Sequence, residues 1–398
     1  MRPGIERLLE LLRGRGSVDD ASEREWLTVL ELAEQENVLH AAAAGLRHAA
    51  GASMPLLTER LQTIERNAKI SAFLWTSTLK STLAEFHDRG IPVIALKGPW
   101  MAERLYGDAA LRSYADLDLL ARRSDLAGAE ELLTELGYRA TGRRDDYERP
   151  WQREGIRIEL HHDVENRLAF DFGVEAAWGR AQRLEYQGAP GWLLCPSDEL
   201  LFLCLHGVRH HFERLSHVLD LVRAWEHLPV PATAGRRPSQ IDNVLALSAM
   251  MAVRMDPSLA IPGEVFERVR NRVSLERLAD QTWDEKMVRE APATDWRRKH
   301  DFFLKIEPTG WECFASRLRH LRILLTRVID DDFAFAERFR LHRRWQVWML
   351  RPIRLALKSL RLAPPTPAAW MPELTGAVQE ELVAAAVAVG GGPRCEPR

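Results

Sequence analysis

The 398 residues exceed what one hydrophobic core usually organises, so two or three packed modules are expected. With 46% hydrophobic residues, 28% charged residues and a net charge of -2, the composition excludes a disordered or fibrous chain and provides no global attraction to nucleic acid. The four cysteines form no C-x-x-C pair, which argues against a zinc knuckle and favours a cytoplasmic location. No apolar run reaches the ~20 residues needed to cross a bilayer, so no integral membrane association is expected.

The N-terminal part of the chain has the apolar pattern of helices. From Ile5 to about Gly90 the apolar residues recur at helical spacing. The last helix of this part starts near Pro55, because proline is tolerated in a first helical turn, and ends at Gly90, which can close a helix in the left-handed conformation. The sequence therefore predicts an N-terminal helical module over residues 1–89.

The pattern changes after Gly90, where short apolar runs alternate with helical stretches. We predict strands over Ile91–Leu96, Ala115–Leu120 and Ile156–Leu160, helices over Met101–Tyr106 and Ser124–Leu136, and a basic, turn-rich connection over Gly142–Pro150. Residues 90–195 are thus predicted to form an α+β core with a small mixed sheet.

The rest of the chain, residues 196–398, is predicted to be a C-terminal helical module. Within it, Pro229 to Gln240 contains three prolines, a glycine and two arginines, which predicts an exposed loop. The basic, amphipathic stretch from Arg338 to Arg361 has two interpretations. It could touch acidic lipid or nucleic acid, or it could be a solvated helix that packs its aromatic side on the core and is broken at Pro352.

Three acidic residues on two predicted strands are the candidate catalytic group. Asp116 and Asp118 lie two apart on a strand, so their side chains share a face. Neighbouring carboxylates repel each other unless a cation lies between them, and oxygen atoms are the ligands that Mg²⁺ requires. Glu159, between two apolar residues of the next predicted strand, is the candidate third carboxylate. The sequence predicts a site for Mg²⁺ (or Mn²⁺), and a pair of such ions can hold the attacking and leaving oxygens of a phosphoryl displacement.

An isolated Asp-x-Asp strand is more often a solvated sheet face, but the surrounding residues favour a site here. Lys97 and Gly98 end a predicted buried strand and open a helix, where a cation and backbone N–H groups can meet phosphate oxygens. Arg112 lies just before the acidic strand, and its guanidinium matches phosphate geometry, although a surface salt bridge would explain it as well. These three residues are the candidate phosphate-binding group.

The motifs form an ordered set along the chain: GIPVIALKG at 90–98, LYGD at 105–108 with LR at 111–112, DLDLL at 116–120, the segment from Ala129 to Gly137 and Tyr138, and IELH at 158–161. This set resembles the uncharacterised nucleotidyltransferase family of the polymerase β-like superfamily. The resemblance extends from about the N-terminal helices to the region of Arg351 and Pro352.

The resemblance implies an enzyme that passes a nucleoside monophosphate from a nucleoside triphosphate such as ATP to an acceptor hydroxyl and releases pyrophosphate. It implies that Asp116, Asp118 and Glu159 bind metal and that Lys97 and Gly98 bind the triphosphate. It also implies that Glu159 helps to deprotonate the attacking hydroxyl. Two features depart from the family pattern: a proline follows Gly98, where the superfamily has serine or glycine, and the spacing to Asp116 is longer.

The acceptor is left open by the sequence. A sugar, a small metabolite, a peptide, a protein side chain or an RNA end would each fit, so nucleic acid stays a possible partner. The alternative function is that of a catalytically inactive member of the family, which would serve as a binding or scaffold protein of a biosynthetic cluster.

A histidine-rich helical segment follows the predicted core. It contains His206, His210, His211, His217 and Asp220. The spacing is compatible with zinc, but we favour helix packing and contacts on the substrate side, because no H-E-x-x-H motif is present.

The run His161-His162-Asp163 raises a rival class, the HD-type metal-dependent phosphohydrolases. The run follows a predicted strand instead of lying within a helix, which argues against that class. We predict His161 at the edge of the active site, where a structural role and a functional role are both open.

Overall fold

The structure is a computed structural model that describes most of the chain. The described residues are 2, 4–15, 21–47, 54–141, 147–164, 170, 172–231, 240–269, 272–288, 302–303, 305–306, 314, 318 and 330–359. Helices flank one mixed seven-stranded sheet, which confirms the predicted α+β fold.

Four helices precede the sheet: α1 (Ile5–Leu12), α2 (Glu23–Gln35), α3 (Leu39–Arg47) and α4 (Pro55–Asp88). The start of α2 is fixed by a capping box in which Ser22 and Glu25 bond each other's backbone N–H groups. Helix α4 begins with the predicted proline, and Gly90 follows its end with φ 73°. The helical N-terminal part agrees with the apolar periodicity of the sequence.

The sheet has the strand order β3-β4-β5-β2-β1-β7-β6. Its strands are β1 (Val93–Ala95), β2 (Leu117–Ala121), β3 (Arg139–Ala140), β4 (Glu148–Arg153), β5 (Ile156–His161), β6 (Gln182–Tyr186) and β7 (Ala189–Leu193). Strand β2 is antiparallel to β1 and parallel to β5, and β1 is parallel to β7. All residues of β1 and β2 are buried, so these two strands lie at the centre of the sheet and carry or adjoin Lys97, Asp116 and Asp118.

Helices also connect and follow the strands. They are α5 (Pro99–Tyr106), α6 (Leu126–Glu135), α7 (Val174–Arg180), α8 (Pro196–Arg209), α9 (Leu215–His227), α10 (Gln240–Met255), α11 (Glu264–Glu267), α12 (Arg272–Val288), α13 (Asp330–Glu337) and α14 (Arg344–Ser359). A short 3₁₀ helix, Ala109–Leu111, lies between α5 and β2. One hydrophobic core includes buried residues from α1 through the sheet to Ile306. The division into modules 1–89, 90–195 and 196–398 stays a prediction.

The predicted turn over Gly142–Pro150 is wrong at its end, because β4 begins at Glu148. Proline has no backbone N–H to donate. The carbonyl of Pro150 accepts a bond from Thr141 N, just after β3 ends, so the missing N–H faces the end of β3 and proline is tolerated there. Residues 142–146 lie outside the described part of the chain, as do 232–239 of the predicted loop from Pro229 to Gln240. Strands β6 and β7 were not predicted.

Helix α14 runs through Pro352, so the predicted break at this residue is wrong. Arg351 and Arg354, on either side of the proline, both bond the buried carboxylate of Asp332, which ties the helix to α13. Trp345 is 58% exposed, so the aromatic side of this helix is not buried in the core as predicted. Among the described helices, none is long and apolar enough to span a membrane.

Candidate active site

The register between β2 and β5 brings two of the predicted carboxylates together. These strands are parallel, and Asp118 is the Cα partner of Glu159. Partnered residues point to the same side of a sheet, so the two side chains share one face. Asp116, one residue before the start of β2, follows the same alternation and lies at the more open end, with 23% of its side chain exposed. Asp118 is almost completely buried, with 1% exposed.

Lys97 lies against both aspartates. Lys97 is the second residue after β1. The first, Leu96, donates its backbone N–H to the carbonyl oxygen of Asp118 at 2.9 Å, which keeps this segment beside β2. The Lys97 ammonium is 3.4 Å from Asp116 Oδ1 and 3.1 Å from Asp118 Oδ2. Burial opposes the charged form of this lysine, but the two carboxylates outweigh burial and raise its pKa. The ammonium therefore neutralises part of the carboxylate charge.

The turn after Lys97 depends on glycine. Gly98 has φ +120° and ψ -158°, a backbone conformation that side chains of L-residues rarely adopt. A Cβ at this position would also lie 3.3 Å from Leu117 Cδ2. This turn starts α5 next to the carboxylates, and phosphate binding by the turn stays a prediction.

His161 belongs to the same cluster as the carboxylates. It is 2% exposed, and its Nε2 lies 3.0 Å from Asp118 Oδ1 and 3.9 Å from Glu159 Oε2. Burial disfavours the imidazolium, but the bond to Asp118 and the charge of Glu148 raise the pKa of His161. Burial alone would raise the pKa of Asp118, yet Lys97 and His161 lower it. Asp118 thus lies between the Lys97 ammonium and the His161 imidazole.

Glu159 has a less favourable surrounding for its charge. Burial raises the pKa of Glu159 to about 7, and repulsion by Asp116 and Asp118 adds to the effect. Arg157, two residues earlier on β5, donates to Glu159 Oε1 at 2.6 Å but is itself 39% exposed. The negative charge of the cluster is therefore compensated only in part.

The donor groups fit a divalent cation. Asp118, Glu159 and His161 each offer one ligand atom, and these atoms all lie within 4.8 Å of one another in a buried position. Among the described residues, no other set of histidine, cysteine and acidic side chains converges in this way. Carboxylate oxygens suit Mg²⁺, while an imidazole nitrogen suits transition metals.

Arg112 is held by a partner that the sequence did not suggest for it. Its Nε and Nη2 donate to the two carboxylate oxygens of Asp220 on α9, each at 3.0 Å in the closer contacts. Tyr106 donates to the same carboxylate at 2.6 Å. The side chain of Arg112 is 15% exposed and that of Asp220 is 4% exposed, so this ion pair is largely buried and not a surface one. Phosphate binding by Arg112 stays a prediction.

Three of the predicted histidines cluster on α8, on the turn after it and on α9. The ring centroids of His206, His210 and His217 lie 4.5 to 5.5 Å apart. Burial, and then the charges of neighbours that include Lys97, lower the pKa of His206 and of His217 well below the usual value. Neutral imidazoles near Lys97 agree with the favoured interpretation of contacts on the substrate side, which stays a prediction.

Two residues of the cluster were missed by the sequence reasoning. Arg157, Glu159 and His161 alternate with apolar residues along β5, so the period of two placed all three on one face. That signal was available for Arg157 but was used only for Glu159. Glu148 joins the cluster through β4, where it is the Cα partner of His161, and no local pattern reveals that pairing.

The fold and the cluster define an α+β protein with a buried acidic site beside a glycine turn. The chain belongs to the uncharacterised nucleotidyltransferase family, whose sequence profile matches residues 22–234, more than half of the chain. This match confirms the family assigned from the motifs, and it ends at residue 234, before the predicted limit in the region of Arg351 and Pro352.

Comparison with solved structures gives weaker likenesses. The solution structure of the antibiotic-resistance factor ANT(2'')-Ia has 16% identity and a TM-score of 0.31, over 38% of this chain and 82% of that one. The crystal structure of ANT(2")-Ia in complex with adenylyl-2"-tobramycin has 14% identity and a TM-score of 0.25, over 62% of this chain and 98% of that one. Likenesses of this strength carry no argument about activity. No curated protein matches the chain.

Proposed function

We propose that the protein is a nucleotidyltransferase that depends on Mg²⁺ or Mn²⁺. It transfers a nucleoside monophosphate from a nucleoside triphosphate to an acceptor hydroxyl and releases pyrophosphate. The observation that carries this proposal is the parallel pairing of β2 with β5, which puts Asp118 opposite Glu159 and beside Asp116. Family membership supports the general class of reaction.

Asp116, Asp118 and Glu159 are proposed to hold the metal. A bound divalent cation would supply positive charge to the phosphate oxygens and lower the pKa of the attacking hydroxyl. The donor set fits, because the Asp118 and Glu159 carboxylates are buried with their ligand atoms within 4.8 Å of each other. A buried carboxylate pair whose charge is compensated only in part favours the uptake of a cation.

Lys97 and Gly98 are proposed to bind the triphosphate. Lys97 already lies beside the carboxylates. Gly98 has no side chain, so its backbone N–H can approach a phosphate closely, and any other residue would be strained at this φ. The charge of Arg112 acts to lower the pKa of Lys97, which indicates that the two cations are neighbours. We therefore assign Arg112 to the same phosphate-binding group. Asp220 would fix the orientation of its guanidinium.

The proposed reaction is a single displacement at the α-phosphorus. The acceptor oxygen forms a bond to this phosphorus while the bond to the pyrophosphate oxygen breaks. The proton of the acceptor hydroxyl passes to the Glu159 carboxylate, the role that the family resemblance implies for this residue.

The test is metal-dependent binding of a labelled triphosphate to the purified full-length protein. We expect saturable binding in Mg²⁺ or Mn²⁺ that EDTA removes and that Asp116→Asn and Asp118→Asn reduce at least about tenfold. Asp88→Asn is the matched control, since Asp88 is exposed at the end of α4. Binding that is unchanged in both active-site variants would refute the proposal.

The alternative, a catalytically inactive binding or scaffold protein, is favoured by a different observation. Lys97, His161 and Arg157 already pair with the carboxylates, so the cluster can persist as a network of ion pairs. An inactive protein would bind neither metal nor triphosphate at this site. Incubation with each labelled triphosphate, Mg²⁺ or Mn²⁺ and cell extract would show whether label is transferred, which base is preferred and which acceptor, RNA included, receives it.

A further inference from the structure

We propose that His161 is itself a metal ligand, which together with Asp118 and Glu159 makes a position suited to a transition ion such as Mn²⁺. The inference rests on the proposed function, because it concerns the same site. It goes beyond that function in assigning a nitrogen ligand and in dividing the site into two unlike positions.

The distances between the donor atoms support a shared ion. At the ligand distances of an octahedral ion, neighbouring donor atoms are about 3 Å apart and opposite ones about 4.2 Å apart. His161 Nε2 lies 3.0 Å from Asp118 Oδ1 and 3.9 Å from Glu159 Oε2, both within this range. All three ligand atoms lie within 4.8 Å of one another, so small side-chain movements bring them onto one ion.

The orientation of the imidazole supports the same conclusion. Glu148 Oε2 lies 3.4 Å from His161 Nδ1, on the side of the ring away from Asp118. The pairing of β4 with β5 fixes this contact, and Tyr147 stacks on the imidazole at a centroid distance of 6.3 Å. Metal-binding histidines usually have a carboxylate on their second nitrogen, which orients the ring and makes the first nitrogen a better ligand. Arg209 Nη1 lies 3.6 Å from the same oxygen, Glu148 Oε2, as an ion pair.

A nitrogen ligand changes which ions the position accepts. Mg²⁺ prefers oxygen ligands alone, whereas imidazole suits later divalent ions. The end of the cluster near Asp116 offers oxygen atoms and remains suited to Mg²⁺. Since most sites bind later divalent ions more tightly than Mg²⁺, the informative quantity is the change in preference when His161 is replaced.

The test measures Mn²⁺ bound to the full-length protein without nucleotide. Electron spin resonance gives the free Mn²⁺ during titration, and spin-echo modulation detects a ¹⁴N nucleus bound to the ion. We expect saturable binding with a ¹⁴N signal in the wild-type protein. In His161→Gln the ¹⁴N signal should disappear and the Mn²⁺ affinity should fall about tenfold or more, while the Mg²⁺ affinity, measured by competition, should change much less. His87→Gln, on the exposed end of α4, should change nothing.

A second variant guards against misfolding of the first. Glu148→Gln should keep the ¹⁴N signal and weaken Mn²⁺ binding by about tenfold, because it loosens the ring without removing the ligand. Bound Mn²⁺ without a ¹⁴N signal in the wild-type protein, or no saturable Mn²⁺ binding, would overturn the inference.

The outcomes separate this inference from the proposed function. A ¹⁴N-coupled ion without metal-dependent triphosphate binding would leave the inference standing and remove the function. Triphosphate binding that needs Asp118 but shows no ¹⁴N coupling would do the reverse.

Discussion

Replacing Glu159 by glutamine should stabilise the metal-free protein at alkaline pH. Burial and the neighbouring aspartates raise the pKa of this carboxyl from 4.5 to about 7. At about 1.4 kcal/mol per pH unit, ionising Glu159 in the folded protein costs roughly 3 kcal/mol more than ionising it in the unfolded chain. Glutamine has a similar shape, can still accept the bond from Arg157 and carries no charge.

The sign follows from the raised pKa. Below pH 4.5 the carboxyl is protonated in both states, so its charge costs nothing. Between pH 4.5 and 7 the unfolded chain ionises first, and the stability of the wild-type protein falls as pH rises. Above pH 7 the loss is complete. The advantage of Glu159→Gln over wild type should therefore grow by roughly 3 kcal/mol between pH 4.5 and pH 8.

The assay is urea denaturation followed by tryptophan fluorescence, at several pH values from 4.5 to 8 and with EDTA present. Glu59→Gln on the exposed side of α4 is the control, and its difference from wild type should stay flat. A flat difference for Glu159→Gln as well would refute the argument that burial and repulsion disfavour this charge. Added Mn²⁺ should stabilise the wild-type protein more than the variant, because the metal needs the ionised carboxylate.

Three further variants test two buried ion pairs and the glycine turn. Glu36, the residue after α2, lies 3.1 Å from the buried ammonium of Lys286 on α12. Glu36→Gln should cost about 3–5 kcal/mol at pH 7, because it leaves the charge of Lys286 without this carboxylate. The ion pairs lower the pKa of Glu36 despite its burial, so the deficit should shrink as pH falls below 4.5, and a pH-independent deficit in urea denaturation would contradict this. Gly98→Ala should cost about 1–3 kcal/mol in thermal unfolding, because alanine is strained at φ +120°, and an unchanged melting temperature would contradict this. Asp220→Asn should cost about 3 kcal/mol in the same assay by leaving the charge of Arg112 buried without a carboxylate; an Arg112→Lys variant as stable as wild type would show that the two-point contact is unimportant.

Local patterns were enough to predict the elements that hold the candidate catalytic residues. The strands around Ile94, Asp118 and Ile158 and the helix after Gly98 follow from short apolar runs, alternation and a helix-opening turn. The shared face of Asp116 and Asp118 follows from the period of a strand. These features depend on neighbours in sequence, which explains why they can be derived from it.

Contacts between distant segments could not be derived in this way. Arg112 and Asp220 are 108 residues apart, and their ion pair depends on how α9 packs beside α5. The contact of Glu148 with His161 depends on the register of β4 with β5. Strand β4 was not predicted, because the basic residues before Pro150 are typical of a turn. The parallel register of Asp118 with Glu159 could not be derived from the sequence, because periodicity gives the face on which a residue lies and not its partner on the next strand.

The chain places its own cations around the carboxylates, and this explains how such a cluster can fold before any metal arrives. Lys97 pairs with Asp116 and Asp118, His161 contacts Asp118, and Arg157 pairs with Glu159. Each pairing lowers the cost of burying negative charge, but a divalent ion needs the same oxygen atoms. Under the proposed function, metal uptake would therefore release the ammonium of Lys97 beside the glycine turn, where the phosphates are proposed to bind. Lys97, which pairs with the carboxylates in the metal-free protein, would thereby contact the phosphates of the substrate.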